Sequence, residues 1–160
     1  MITYRTAKPT DAEQLLITRR LTVLHNKNGA YSQVILHAWA PIITEETIAA
    51  EEKALENPDR VTIVAEDRNK MVGLCTIDLS KGLLQQCYVL PHYNGKGIAR
   101  ELVRQVETIA KDHRLSLLKL SSSLIALDFY KKQGYQQLNS YLYDLDNGFQ
   151  MPCVMMEKYL

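Results

Sequence analysis

One stretch constrains this chain more than any other: Gln86-Cys87-Tyr88-Val89-Leu90-Pro91-His92-Tyr93-Asn94-Gly95-Lys96-Gly97-Ile98-Ala99-Arg100. Its first part, Cys87 to Leu90, is a short apolar, β-prone run, and Pro91 ends it because proline cannot donate to a strand ladder. Asn94, Gly95 and Gly97 tolerate the backbone angles of a tight turn. Ile98, Leu102, Val103, Val106, Ile109 and Ala110 then recur at helical spacing and share one face. A strand, a glycine-rich turn and a helix gather unpaired backbone N–H groups, and the helix N-terminus adds about half a positive charge. The stretch reads as a cradle for phosphate or pyrophosphate. An ordinary strand-to-helix connection uses the same glycines, and the turn alone does not separate the two.

Around this stretch the pattern alternates. Met1 to Thr6 reads as a strand. Thr10-Asp11-Ala12-Glu13 is a capping-box pattern opening a helix to about His25, broken by Asn26-Lys27-Asn28-Gly29. Tyr31 to Ala40, with Ser32 as N-cap, predicts a second helix, and Thr44 caps a third through about Leu55. Val61–Glu66, Met71–Asp78 and Leu83–Leu90 predict a meander of strands. After the long helix come a strand at Leu115–Leu120, a helix from about Leu124 to Lys132, and strands Tyr135–Tyr143 and Met151–Tyr159 joined through Asp146-Asn147-Gly148. The expected fold is a mixed α/β sheet of about seven strands, mostly antiparallel, with one central parallel pair made by a right-handed crossover. Ligands of such sheets sit where the topology switches. Here that point lies between the ends of Cys87–Leu90 and Leu115–Leu120, with Ser121-Ser122-Ser123 opposite the glycine turn.

Composition narrows the function classes. The 160 residues fit one domain, 1–160, and carry a formal net charge of +1. No bulk field therefore recruits nucleic acid or an anionic membrane. Cys75, Cys87 and Cys153 are widely spaced and odd in number, which argues against zinc and a disulfide framework and fits a reduced, cytoplasmic setting. There is neither a run of about 18 apolar residues nor a basic-then-apolar leader.

Two further patterns carry a resemblance. Asn94-Gly95-Lys96-Gly97-Ile98-Ala99 follows an acyl-CoA signature of Arg or Gln, two residues, Gly, one residue, then Gly or Ala, departing only at Asn94. Ala126-Leu127-Asp128-Phe129-Tyr130-Lys131-Lys132-Gln133-Gly134-Tyr135 fits every fixed position of a second signature: Ala, two residues, Phe or Leu, Tyr, three residues, Gly, aromatic. With both in register, the chain resembles the GNAT superfamily of N-acetyltransferases over nearly its whole length. Tyr31-Ser32 with Trp39-Ala40-Pro41 is similar to one subgroup of bacterial members. A P-loop kinase is excluded because GxxxxGK[ST] is absent.

The resemblance implies acetyl-CoA as co-substrate, no metal, and direct acetyl transfer to a primary amine of a small molecule or peptide. It implies that the two parallel strands splay. Backbone from Asn94, Gly95, Lys96, Gly97, Ile98, Ala99 and Arg100 would hold the pyrophosphate. The pantetheine arm would pair with Cys87, Tyr88 and Val89, and the Val89 N–H would face the thioester oxygen. Tyr130 would be the general acid, with a core aromatic beside Phe129 as the competing reading. Ser123, where many members carry Asn, would orient the acid or the thiol, or serve as a plain helix N-cap. No general base is assigned, because Leu83-Leu84-Gln85-Gln86 holds no titratable group. His92 is a candidate by type but reads better as a solvated loop histidine. Cys87 could suggest a covalent acyl-enzyme, though its place in a strand favours an inert thiol. Tyr31, Trp39, Tyr141 and Tyr143 either line the acceptor pocket or pack helices and hairpin. A CoA-binding regulatory module on the same scaffold is the alternative function. The chain is expected as a monomer or as a homodimer through the last hairpin edge.

Overall fold

A computed structural model describes residues 1–160. Strand β1 (Ile2–Thr6) is followed by helices α1 (Ala12–Leu24), α2 (Gln33–Trp39) and α3 (Glu45–Leu55). Strands β2 (Arg60–Asp67), β3 (Lys70–Asp78) and β4 (Leu83–Val89) form a meander, and α4 (Ile98–Asp112) crosses over to β5 (Leu117–Ser123). Helix α5 (Leu127–Lys132) and the hairpin β6 (Gln136–Asp144) and β7 (Gln150–Tyr159) complete the chain. The seven strands make one sheet in the order β1-β2-β3-β4-β5-β7-β6. Every neighbouring pair is antiparallel except β4 with β5. This is the mixed sheet with one central parallel pair that the sequence predicts.

The sheet is covered on both faces, as its central strands require. Successive residues of a strand face opposite ways. Ile63, Ala65, Cys75, Ile77, Leu118, Leu120 and Met156 pack with Leu102, Val103 and Val106 of α4 in one core. Leu15 of α1 packs with Val64, Met71 and Leu74 on the other face. From Met71 onward β3 is buried on both sides, so it reads as a continuous apolar run rather than an alternation. Each fully buried Leu or Val of α4 contributes about 2 kcal/mol, so that helix is fixed by packing rather than by its caps.

Local departures from the sequence reading have physical causes. The Thr10–Glu13 capping box does not form. Pro9 starts a single 3₁₀ turn over Pro9–Asp11, and the Asp11 carboxylate accepts from the Lys8 N–H at 2.7 Å while pairing with Arg5. Ser32 and Thr44 cap α2 and α3 as expected, accepting from the N–H groups of Ile35 and Thr47. The expected strand 115–120 instead runs over Leu117–Ser123. Its three serines are held in the sheet by β7, Ser121 facing Met155, Ser122 Val154 and Ser123 Cys153. The helix after it begins at Leu127, not Leu124.

Candidate active site

The parallel pair is brief. β4 and β5 are in register at only two positions, Leu83 with Lys119 and Leu84 with Leu120. Beyond them β4 stays with β3 through Val89, and β5 stays with β7 through Ser123. The strands therefore part along Gln85–Val89. The Leu90 N–H donates to Val72 O at 2.8 Å, on the β3 side. Backbone groups alternate along a strand, so the N–H groups of Val89 and Cys87 point into the gap. Gly73 sits opposite Val89, and a Cβ there would lie 3.0 Å from Tyr88 O. A glycine is what lets β3 hold β4 this closely.

The turn after β4 is a nest of free donors. Pro91–Tyr93 make one 3₁₀ turn, and the Asn94 N–H closes it on Pro91 O at 3.1 Å. None of the N–H groups from Gly95 to Arg100 has a backbone acceptor, because they precede or form the first turn of α4. Gly97 is the N-cap of α4 with φ +79°, a left-handed angle costly for any residue with a Cβ. Cationic groups flank the nest: Lys96 Nζ lies 4.5 Å over the Tyr93 ring, and the Arg100 guanidinium folds back over Gly97. Glu101, in the same turn, is paired with Arg104 at 2.6 Å, and that partner first, then Gln105, holds its carboxyl down to about 2.

A groove of about 1430 Å³ runs along these elements. One wall is Cys87–Arg100, and the facing wall is Ile125, Ala126, Phe129, Tyr130 and Gln133. The end of α1 and the following loop, Leu21 to Asn28, form its rim. Tyr130 is 5% exposed, with its ring edge-on to Phe129 and Tyr135. Its neighbour Tyr135 has a hydroxyl that is sealed without a partner, whereas the Tyr130 hydroxyl is not sealed. Burial, then the Cys87 and Cys75 thiols, pushes the Tyr130 phenol well above its ordinary value, so it keeps its proton. Cys87 faces the fully buried Cys75 across the strands, and burial raises that thiol strongly. A second, shallower hollow of about 480 Å³ lies between α2 and Phe149, away from the gap.

All the site residues named from the sequence except one meet on this groove: Cys87, Tyr88, Val89, Asn94 to Arg100, and Tyr130. Ser123 does not line it. Its Oγ accepts from the Ala126 N–H at 3.3 Å, bracing the turn into α5. His92 is exposed on the rim. The four aromatics separate. The Tyr31 hydroxyl donates to Pro152 O at 2.5 Å and accepts from the Leu124 N–H, a structural tie, and burial raises it to about 12. Trp39 packs between Tyr31 and Tyr88. Tyr141 shares a hydrogen bond with Ser121 Oγ, and Tyr143 is exposed on the edge strand β6. The rim residues His25 to Asn28 and the neighbouring Arg19 are not indicated by any local sequence signal.

Residues 27–160 match the family model of an acetyltransferase (GNAT) domain. The chain belongs to the GNAT acetyltransferase family. GNAT proteins of this kind are acyltransferases, and solved structures agree on the fold. A GCN5-related N-acetyltransferase from Rhodopseudomonas palustris superposes with a TM-score of 0.88 at 22% identity, covering 99% of this chain and 95% of that one. The PaiA N-acetyltransferase from Thermoplasma acidophilum, solved with coenzyme A, gives 0.74 at 22% identity over 100% and 99%. YncA from Salmonella typhimurium, solved with its cofactor acetyl-CoA, gives 0.72 at 16% identity over 99% and 94%. At these identities the likeness carries the GNAT fold alone.

Proposed function

We propose that this GNAT chain, acting as one domain over residues 1–160, moves an acetyl group from acetyl-CoA directly to a primary amine. The observation that carries the reading is the pairing, on one groove, of an unbonded Val89 N–H with an unsealed Tyr130 hydroxyl. The six free N–H groups of Gly95 to Arg100 suit a pyrophosphate, which needs donors and no metal. The open edge of β4 at Cys87–Val89 suits the amides of a pantetheine arm, which would pair with it as an added strand.

In this reading the amine nitrogen attacks the thioester carbonyl carbon. The carbonyl oxygen takes the charge and is met by the Val89 N–H, a fixed donor worth about 3 kcal/mol. As the adduct collapses the C–S bond breaks, and Tyr130 gives its proton to the departing thiolate. The proton shed by the new ammonium nitrogen returns through water to the phenolate. A raised phenol surrenders its proton only to a thiolate that is also desolvated, and the apolar lining beside Tyr130, formed by Ile125, Ala126 and Phe129, is the setting such a thiolate would meet. Ser123 acts at one remove, through the turn that sets α5.

Thiol release measured over a panel of amines tests this. Tyr130→Phe is expected to lower kcat at least about tenfold with little change in KM for acetyl-CoA. An unchanged kcat removes Tyr130 from the chemistry. CoA binding without thiol release from any amine would favour the regulatory module instead.

A further inference from the structure

We propose that the acceptor carries its own carboxylate, received by Arg19 beside Tyr88. This rests on the amine-acetylation reading and narrows its second substrate to amines of the amino-acid type. Tyr88 lies between Cys87 and Val89 on the part of β4 that has left β5, and its side chain takes the opposite face, among residues of α1 and α2. The Arg19 guanidinium of α1 sits 5.7 Å from the centre of the Tyr88 ring. Trp39 packs on the same ring at 6.2 Å.

Arg19 has no carboxylate partner; its polar neighbour is the Tyr88 phenol. Arg5, Arg60, Arg104 and Lys158 are each paired with a carboxylate, but Arg19 enters no ion pair. Its Nε is sealed from solvent without an acceptor, whereas its two terminal nitrogens are not sealed. No acid of the elements around it is paired with it: α3, which packs on α1, carries Glu45, Glu46, Glu51 and Glu52, of which Glu51 is held by Arg60 and the other three are exposed. α2 and β4 contain no acidic residue, α1 has only Glu13 near its far end, and the one acid of β3, Asp78, is engaged by Ser80 and Lys81. A half-buried cation without a counter-charge is costly. The open fork of a guanidinium matches a planar carboxylate with two parallel hydrogen bonds. Arg19 does not itself line the groove, but Tyr88, on which it packs, does, and an incoming amine is the source of an anion that this position offers.

The test uses the whole chain with acetyl-CoA and matched acceptors: amino acids, their methyl esters, and the amines left by decarboxylation. The wild type is expected to use the best amino acid with kcat/KM about tenfold or more above its ester. Arg19→Gln should raise KM for that amino acid about tenfold and abolish the acid-over-ester preference, with KM for acetyl-CoA unchanged. Arg19→Lys should restore part of the preference. Equal or better use of esters by the wild type overturns the proposal, as does a loss in Arg19→Gln that falls alike on acid and ester. Should the wild type acetylate no amine, the acetyl-transfer reading fails separately. Calorimetric binding of an N-acetyl amino acid to the CoA-loaded chain then decides: binding lost in Arg19→Gln supports the carboxylate site, and no binding to the wild type overturns it.

Discussion

Single residues of the groove are asked to do different work with main chain and side chain. Gly97 contributes no side chain, and its φ of +79° turns the chain into α4, whose first N–H groups have no acceptor. Gly97→Ala should cost about 1 kcal/mol in the folded state and loosen that turn. We expect it to raise KM for acetyl-CoA severalfold while leaving kcat within about twofold, readable from initial rates at varied donor. Tyr130 packs its ring against Phe129 and Tyr135, and in the proposed chemistry it is the hydroxyl that acts. Asn94, which departs from the family signature, has its N–H already spent on Pro91 O, so the departure removes no donor from the nest. The placement of these residues on one groove was legible in the sequence because each signal is local: glycines at fixed offsets, and a tyrosine four residues before a helix-ending glycine. Arg19 was not legible. Its significance lies in what does not face it, and a list of neighbours exists only after α1, β3 and β4 have packed.

At the scale of elements, the parting of β4 from β5 opens the groove. Two residue pairs hold the parallel strands together, and five residues of β4 then run with one neighbour only. Amide exchange should resolve this edge residue by residue. In the free chain the Val89 and Cys87 amides should exchange fast while the Leu90 amide, bonded to Val72 O, exchanges slowly. Saturating CoA should slow Val89 and Cys87 and leave Leu90 unchanged, as followed by NMR. The sequence predicted the parallel pair but misplaced its second strand. Ser121 to Ser123 have low strand propensity by themselves, and it is β7 that recruits them. The hairpin that supplies β7 lies some thirty residues on, so no window around the serines contains the cause. The capping box failed similarly. Thr10 and Glu13 stood at the right spacing, but Asp11 had a stronger partner in Arg5 from the preceding strand.

For the whole molecule, titratable groups bound the range in which the fold holds. Asp11 is held below its ordinary value of 3.8 by Arg5, Asp78 by Ser80, and Glu101 falls to about 2 beside Arg104. The folded chain thus binds fewer protons than the unfolded one in acid. These groups contribute stability in full above their ordinary values, and lose it as pH falls through the lower folded ones. The Tyr31 phenol is raised to about 12 by burial from an ordinary 10.0. Its contribution is complete below 10 and is lost as pH rises toward 12. Melting temperature plotted against pH should therefore plateau between about 5 and 9. Glu101→Gln should flatten the acid limb and Tyr31→Phe the alkaline one, and identical limbs in the variants would refute these assignments. The gap between β4 and β5 bears on endurance as well. Main chain left unbonded at the middle of a sheet is where a protease or a stray strand first gains purchase. If the nucleotide thioester fills that seam, the lifetime of this protein in a cell follows the supply of its own substrate, and a starved cell would lose the enzyme along with the reaction.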